Sequence, residues 1–198
     1  MPATAAIDIA VQENISASIA VKQAMLADQE LLQCISQAAE TISQALRSGR
    51  RVMLMGNGGS AADAQHIAAE FVGQYRMKRR ALPVMALTVN TSALTAIGND
   101  YGFEDVFVRQ VEAFAKPGDV LIGITTSGNS MNIRRALLMA GALHIKTIAL
   151  TGRTGGKVRT AADLCLRVPS DQTPRIQEAH ILIGHTIAEI VEAELFTH

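Results

Sequence analysis

Cysteine is scarce in this chain: Cys34 and Cys165 are the two present. Two thiols so far apart in sequence support neither a disulfide framework nor a cysteine-based zinc site, and a reducing, cytoplasmic setting follows as the simplest expectation. Excess charge of either sign is missing as well. Eighteen basic residues cancel eighteen acidic ones, so nothing electrostatic points to nucleic acid, which selects a basic face. No apolar run approaches the ~18 residues that a membrane helix needs, and the first residues lack the basic and apolar blocks of a secretory signal. No repeat, low-complexity tract or interdomain linker interrupts the 198 residues, a length suited to one domain that buries most of its apolar surface.

What is present alternates. Short, nearly continuous apolar runs at 51–55, 83–88, 119–125, 146–150 and 164–168 read as buried parallel strands. Helix-like stretches at 59–75, 103–115 and 130–143 supply the crossovers that parallel strands require. The expected fold is therefore α/β, a doubly wound, mainly parallel five-stranded sheet flanked by helices. Residues 6–48 read as two further helices and 173–195 as a long one, with Thr173 placed to cap it and Pro174 in its first turn. The first helix carries apolar residues around much of its circumference. Either it covers one sheet face, or it lies on the domain with one face and meets a second subunit with another.

Two polar loops follow strands. Gly56-Asn57-Gly58-Gly59-Ser60-Ala61 formally contains the dinucleotide fingerprint G-x-G-x-x-A. The acidic residue that would hold a ribose at the end of the second strand is absent between Ala81 and Gly98. The loop instead suits a smaller anionic or polyhydroxyl ligand, or is a tight turn without one. The second loop, Thr125-Thr126-Ser127-Gly128-Asn129-Ser130, brings four hydroxyls to a helix N-terminus, where donors and the helix end favour a phosphate. His66 and Glu70, spaced i, i+4, project from one helical face. They either share a divalent metal or form an ordinary hydrogen-bonded pair. Gln177, Glu178, His180 and His185 on the last helix are candidate partners. Gln177 and His185 stand eight residues apart, roughly 12 Å along a helix at ~1.5 Å per residue, so one metal reaches both only with their side chains stretched toward each other.

Four segments in this order, GNGGSAADAQHIAAEF, LTAIGNDYG, DVLIGITTSGNS and TPRIQEAHILIGH, resemble the phosphoheptose isomerases of the sugar isomerase (SIS) fold. The resemblance spans nearly the whole chain and implies one SIS domain over 1–198, with 1–48 as a helical extension used in oligomerisation. It implies an aldose–ketose isomerisation in the cytoplasm, from sedoheptulose 7-phosphate to D-glycero-D-manno-heptose 7-phosphate, in bacterial heptose synthesis of the kind that serves lipopolysaccharide. By that resemblance Glu70 and His185 are the acid/base pair, and His66, Glu70, Gln177 and His185 bind one zinc ion per subunit. Asn57, Gly58, Gly59, Ser60, Glu70 and Gln177 contact substrate, Thr125, Thr126, Ser127 and Ser130 hold its phosphate, and Asn99 and Asp100 meet sugar hydroxyls. The family forms homotetramers with active sites at subunit junctions. Two positions depart from the family pattern: Thr125 stands where relatives often have Ser, and Gln74 where a basic residue is expected, with Arg76 close by. The alternatives are a non-catalytic SIS-fold protein that binds the replication initiator, and an isomerase of another phosphosugar.

Overall fold

The computed structural model describes residues 3–197. Two helices, α1 (Ala3–Ala27) and α2 (Gln29–Arg47), precede β1 (Val52–Gly56), α3 (Gly59–Val72), β2 (Val84–Ala86), α4 (Thr91–Asp100) and α5 (Val108–Phe114). Then come β3 (Val120–Ile124), α6 (Met131–Ala142), β4 (Lys146–Thr151), β5 (Leu164–Arg167) and α7 (Thr173–Phe196). All strand pairs are parallel, in the order β2-β1-β3-β4-β5.

Alternation along the strands divides the core. Val52 and Leu54 of β1, with Val120, Ile122 and Ile124 of β3, pack beneath α2, α3 and α7. Met53 and Met55, with Leu121, face α5 and α6 on the other side. Strands buried on both faces read as continuous apolar runs for this reason. Leu31, Ile35, Ala38, Ile42 and Leu46 make the stripe by which α2 joins the first layer, each large side chain contributing about 1.5–3 kcal/mol by leaving water. The Asp28 carboxylate starts that helix by accepting from Leu31 N–H at 3.0 Å.

The order 2-1-3-4-5 reverses direction between β1 and β3. There the following helices, α3 and α6, depart to opposite faces and leave a crevice beyond the strand ends, the usual ligand position in such sheets.

Several elements differ from expectation. The second strand is confined to Val84–Ala86, and residues 91–100 form a helix that no apolar stripe announced. Asn90 caps it, its side chain accepting from Ala93 N–H, and none of its residues is fully buried. The stretch 103–115 is broken into a 3-10 turn, Phe103–Asp105, and α5. Helix α3 stops at Val72, with Gly73 at its C-cap. Thr173 does not cap α7: Gln172 takes that position, without a side-chain hydrogen bond. Helix α1 touches α7 through Ser18 and Lys22, which both donate to Glu178, and through Arg175, which donates to the Asn14 carbonyl. It leaves Ile7, Val11, Ile15 and Ile19 exposed in one i, i+4 stripe.

His180 is a core histidine. It is wholly buried, its Nε2–H donates to the Thr151 carbonyl at 3.1 Å, and its Nδ1 has no partner among the described residues. Burial pushes its pKa down from 6.5 to about 4, against a smaller upward pull from the Thr151 hydrogen bond. Between those values the unfolded chain binds the extra proton and the folded chain does not, so stability falls as pH drops from 6.5 toward 4. The expected loss from this group is about 3 kcal/mol. Denaturant titrations across that window should show a weaker pH slope in His180→Gln than in the parent chain. Equal slopes would remove His180 as the cause.

Candidate active site

Helices α3 and α7 pack with matched registers. A Cβ on Gly184 would lie 2.5 Å from Ile67 Cδ1, and one on Gly59 would overlap the Gln177 amide. Two glycines thus permit the close approach, and α3 and α7 run in the same direction with Gly59 beside Gln177 and Ile67 beside Gly184.

This register brings His66 and Glu70 against His185. His66 Nε2 lies 2.9 Å from His185 Nε2 and 3.2 Å from Glu70 Oε1, and His185 Nε2 lies 4.0 Å from the same oxygen. Two imidazole nitrogens at that separation bond to each other only when one carries a proton and the other does not. The donors fit a metal on geometric grounds. All three ligand atoms lie within 4.8 Å of one another, and two nitrogens on one tetrahedral zinc, at bonds of ~2.0–2.1 Å, stand about 3.3 Å apart. His66 is the open side of the group, with 51% of its side chain exposed against 20% for Glu70. Tyr75 closes another side, its ring stacked on His185 at 5.8 Å between centroids.

The Gln177 amide lies over Gly59 at the start of α3. Glu178 points to α1 and Arg175, and His180 to the sheet. Asn99 and Asp100 end α4, both exposed, with Asn99 donating to Asp100 at 2.8 Å.

The other polar loops meet at the crevice. Asn57, after β1, exchanges two side-chain hydrogen bonds with Asn132 at the start of α6, at 2.9 and 3.0 Å. This pair bridges β1 and β3 across their point of divergence. Gly58 takes φ +56°, which a side chain would resist, and Ser60 is buried beneath it. Ser130 does not cap α6 with its hydroxyl, which instead lies 3.1 Å from Thr125 Oγ1. The Ser127 hydroxyl accepts from Asn129 N–H. Gly128 holds φ +67° with its Cα face pressed on the backbone of Gly155 and Gly156, and its carbonyl accepts from Val158 N–H. A cavity of about 160 Å³ opens here between Thr126, Ser127, Arg153, Thr154, Asp171 and Thr173. Of the two departures, Thr125 keeps its hydroxyl in the loop, while Gln74 is exposed beyond α3. The nearby Arg76 guanidinium is paired with Glu189 at 2.8 Å.

Sequence reasoning passed over Asn132, Tyr75 and Asp63. The Asp63 carboxyl, one helical turn before His66, has an oxygen buried without a partner among the described residues. Its pKa is pushed up by burial, which the His66 charge partly offsets. Its i, i+3 spacing from His66 was the available signal.

The profile of the SIS domain family matches residues 16–152. The chain is 54% identical to the phosphoheptose isomerase of Clostridium acetobutylicum over 186 residues, 94% of this chain and 95% of that one. It is 53% identical to the phosphoheptose isomerase of Aneurinibacillus thermoaerophilus over 94% of each chain. The solved phosphoheptose isomerase of Neisseria gonorrhoeae superposes with a TM-score of 0.89 at 45% identity, over 94% of this chain and 99% of that one.

Proposed function

Because this chain belongs to the phosphoheptose isomerases of the SIS-domain family, we infer that it interconverts sedoheptulose 7-phosphate and D-glycero-D-manno-heptose 7-phosphate, an aldose–ketose isomerisation of bacterial heptose synthesis. The observation that carries the site assignment is the convergence of His66, Glu70 and His185 on helices that flank the crevice at the β1–β3 divergence.

The ketose binds with its phosphate at Thr125, Thr126, Ser127 and Ser130, where hydroxyls and the N-terminus of α6 favour the dianion. Asn57, Gly58, Gly59, Ser60 and Gln177 hold the chain of the sugar, and Asn99 and Asp100 meet its hydroxyls. Glu70 removes a proton from C1, and His185 gives a proton to the carbonyl oxygen on C2 and takes one from the C1 hydroxyl. Glu70 then returns a proton to C2 of the enediol, and the aldose results. The two duties of Glu70 divide between its oxygens: Oε1 faces both imidazoles, so Oε2 is left for the proton. A zinc ion would be held by His66, Glu70 and His185, joined by Gln177 with its side chain stretched from beside Gly59, and would supply positive charge to the oxyanion that develops during the proton transfers.

Assembly is a homotetramer in the cytoplasm. The exposed Ile7, Val11, Ile15 and Ile19 stripe of α1 supports a role for the 1–48 extension in that contact. Among the described residues no helix is long and apolar enough to cross a membrane.

The test is turnover of sedoheptulose 7-phosphate followed by NMR, before and after chelation and after added zinc. The expected course is conversion that falls on metal removal and returns with zinc, with less zinc retained by His66→Ala. Unchanged conversion in verified metal-free protein would take zinc out of the reading and leave the four residues as binding and acid/base groups.

A further inference from the structure

Behind the reacting groups lies an ion pair that the reaction itself does not use. Arg79, on the loop after α3, and Glu192, on α7, are joined Nε to Oε1 at 2.8 Å with side chains 2% exposed. The guanidinium spends its remaining donors on backbone. Nη2 donates to the Glu70 carbonyl at 2.7 Å, and Nη1 to the carbonyls of Phe71, Gly73 and Arg80 at 2.8, 3.2 and 3.1 Å. Glu70 and Phe71 belong to the last turn of α3, whose carbonyls have no intrahelical partner. The other oxygen of Glu192 accepts from Arg76 N–H and Met77 N–H at 2.8 and 3.2 Å, which folds the loop that carries Tyr75 onto His185. Glu192 stands two turns after His185 on α7, on the same face.

We propose that Arg79 and Glu192 are positioning residues for the isomerisation, which fix Glu70 relative to His185 through the last turn of α3 and hold Tyr75 against the His185 ring. This rests on Glu70 and His185 being the acid/base pair. A buried ion pair is a poor source of net stability, and well-packed apolar residues often replace one at no cost. Apolar residues cannot grip four carbonyls on two segments. The planar fork of arginine can, and the point charge of lysine does so only in part.

The experiment compares Arg79→Met, Arg79→Lys, Glu192→Gln and Glu70→Gln in full-length protein, at a temperature well below each melting midpoint. A misplacement of about 1 Å costs on the order of 10²-fold in rate. Arg79→Met and Glu192→Gln should lose that much kcat with KM within about threefold of the parent, since substrate binding is untouched. Arg79→Lys should recover part of it. If Arg79→Met does not fold, the Lys and Gln variants carry the test. Parental kcat in folded Arg79→Lys and Glu192→Gln, or a loss confined to KM, would overturn the proposal. Parental kcat in Glu70→Gln would instead overturn the acid/base assignment, whatever the Arg79 variants do.

Discussion

Glu70→Gln keeps the fold and lowers kcat for sedoheptulose 7-phosphate by about 10³-fold, within the range that a positioned general base contributes. The amide is isosteric, so the helix and its packing against α7 are preserved. The carbonyl oxygen of the new side chain still faces His66 and His185, where Glu70 Oε1 now lies 3.2 and 4.0 Å away. What disappears is a basic oxygen able to take a proton from carbon. KM should change far less than kcat, because an interaction needed only in the transition state is lost. Steady-state kinetics by coupled assay or NMR give both numbers. A variant that retains near-parental kcat would exclude Glu70 as the base.

Gly128→Ala acts at the opposite end of the substrate. The backbone at Gly128 is left-handed, φ +67°, a region that costs an L-residue roughly 1–2 kcal/mol. Beyond that strain, the new methyl would overlap the Gly155 carbonyl and approach Gly156 N at 2.8 Å. These are backbone atoms that cannot swing aside, so the loop carrying Thr126, Ser127 and Ser130 has to move. The expected result is a KM raised by about 10²-fold with kcat within about threefold, because the phosphate contacts are shared by ground and transition states. Gly141→Ala is the control. It lies in α6 with open space where the methyl would go and should leave both constants unchanged.

Much of this architecture is legible before any coordinates. The five strands are short apolar runs because both faces of the sheet are covered, and the two polar loops stand out because each interrupts such a run. The i, i+4 spacing of His66 and Glu70 is likewise local information. Helix α4 is not readable: it buries none of its residues fully, so the periodic stripe that announces a helix is missing, and its cap at Asn90 follows the apolar run 83–88 by only two residues. The interactions that complete the site are invisible for a different reason. Asn57 with Asn132, Tyr75 with His185 and Arg79 with Glu192 join distant parts of the chain, and spacing carries no signal of which distant residues meet. The close packing of α3 on α7 at Gly59 and Gly184 sets the register that brings His185, rather than His180, to Glu70.

The central claim is that Glu70 carries a proton between C1 and C2 of the sugar. The most direct measurement is solvent exchange at those carbons, with the reaction run in deuterium oxide and read by NMR. The account predicts that the parent chain places at C2 of the aldose product both hydrogen carried from C1 and solvent deuterium, the latter wherever the protonated Glu70 carboxyl exchanges with solvent between the two transfers, and that Glu70→Gln loses both along with turnover. Exchange at C1 and C2 that continues at the parental rate in folded Glu70→Gln would contradict it.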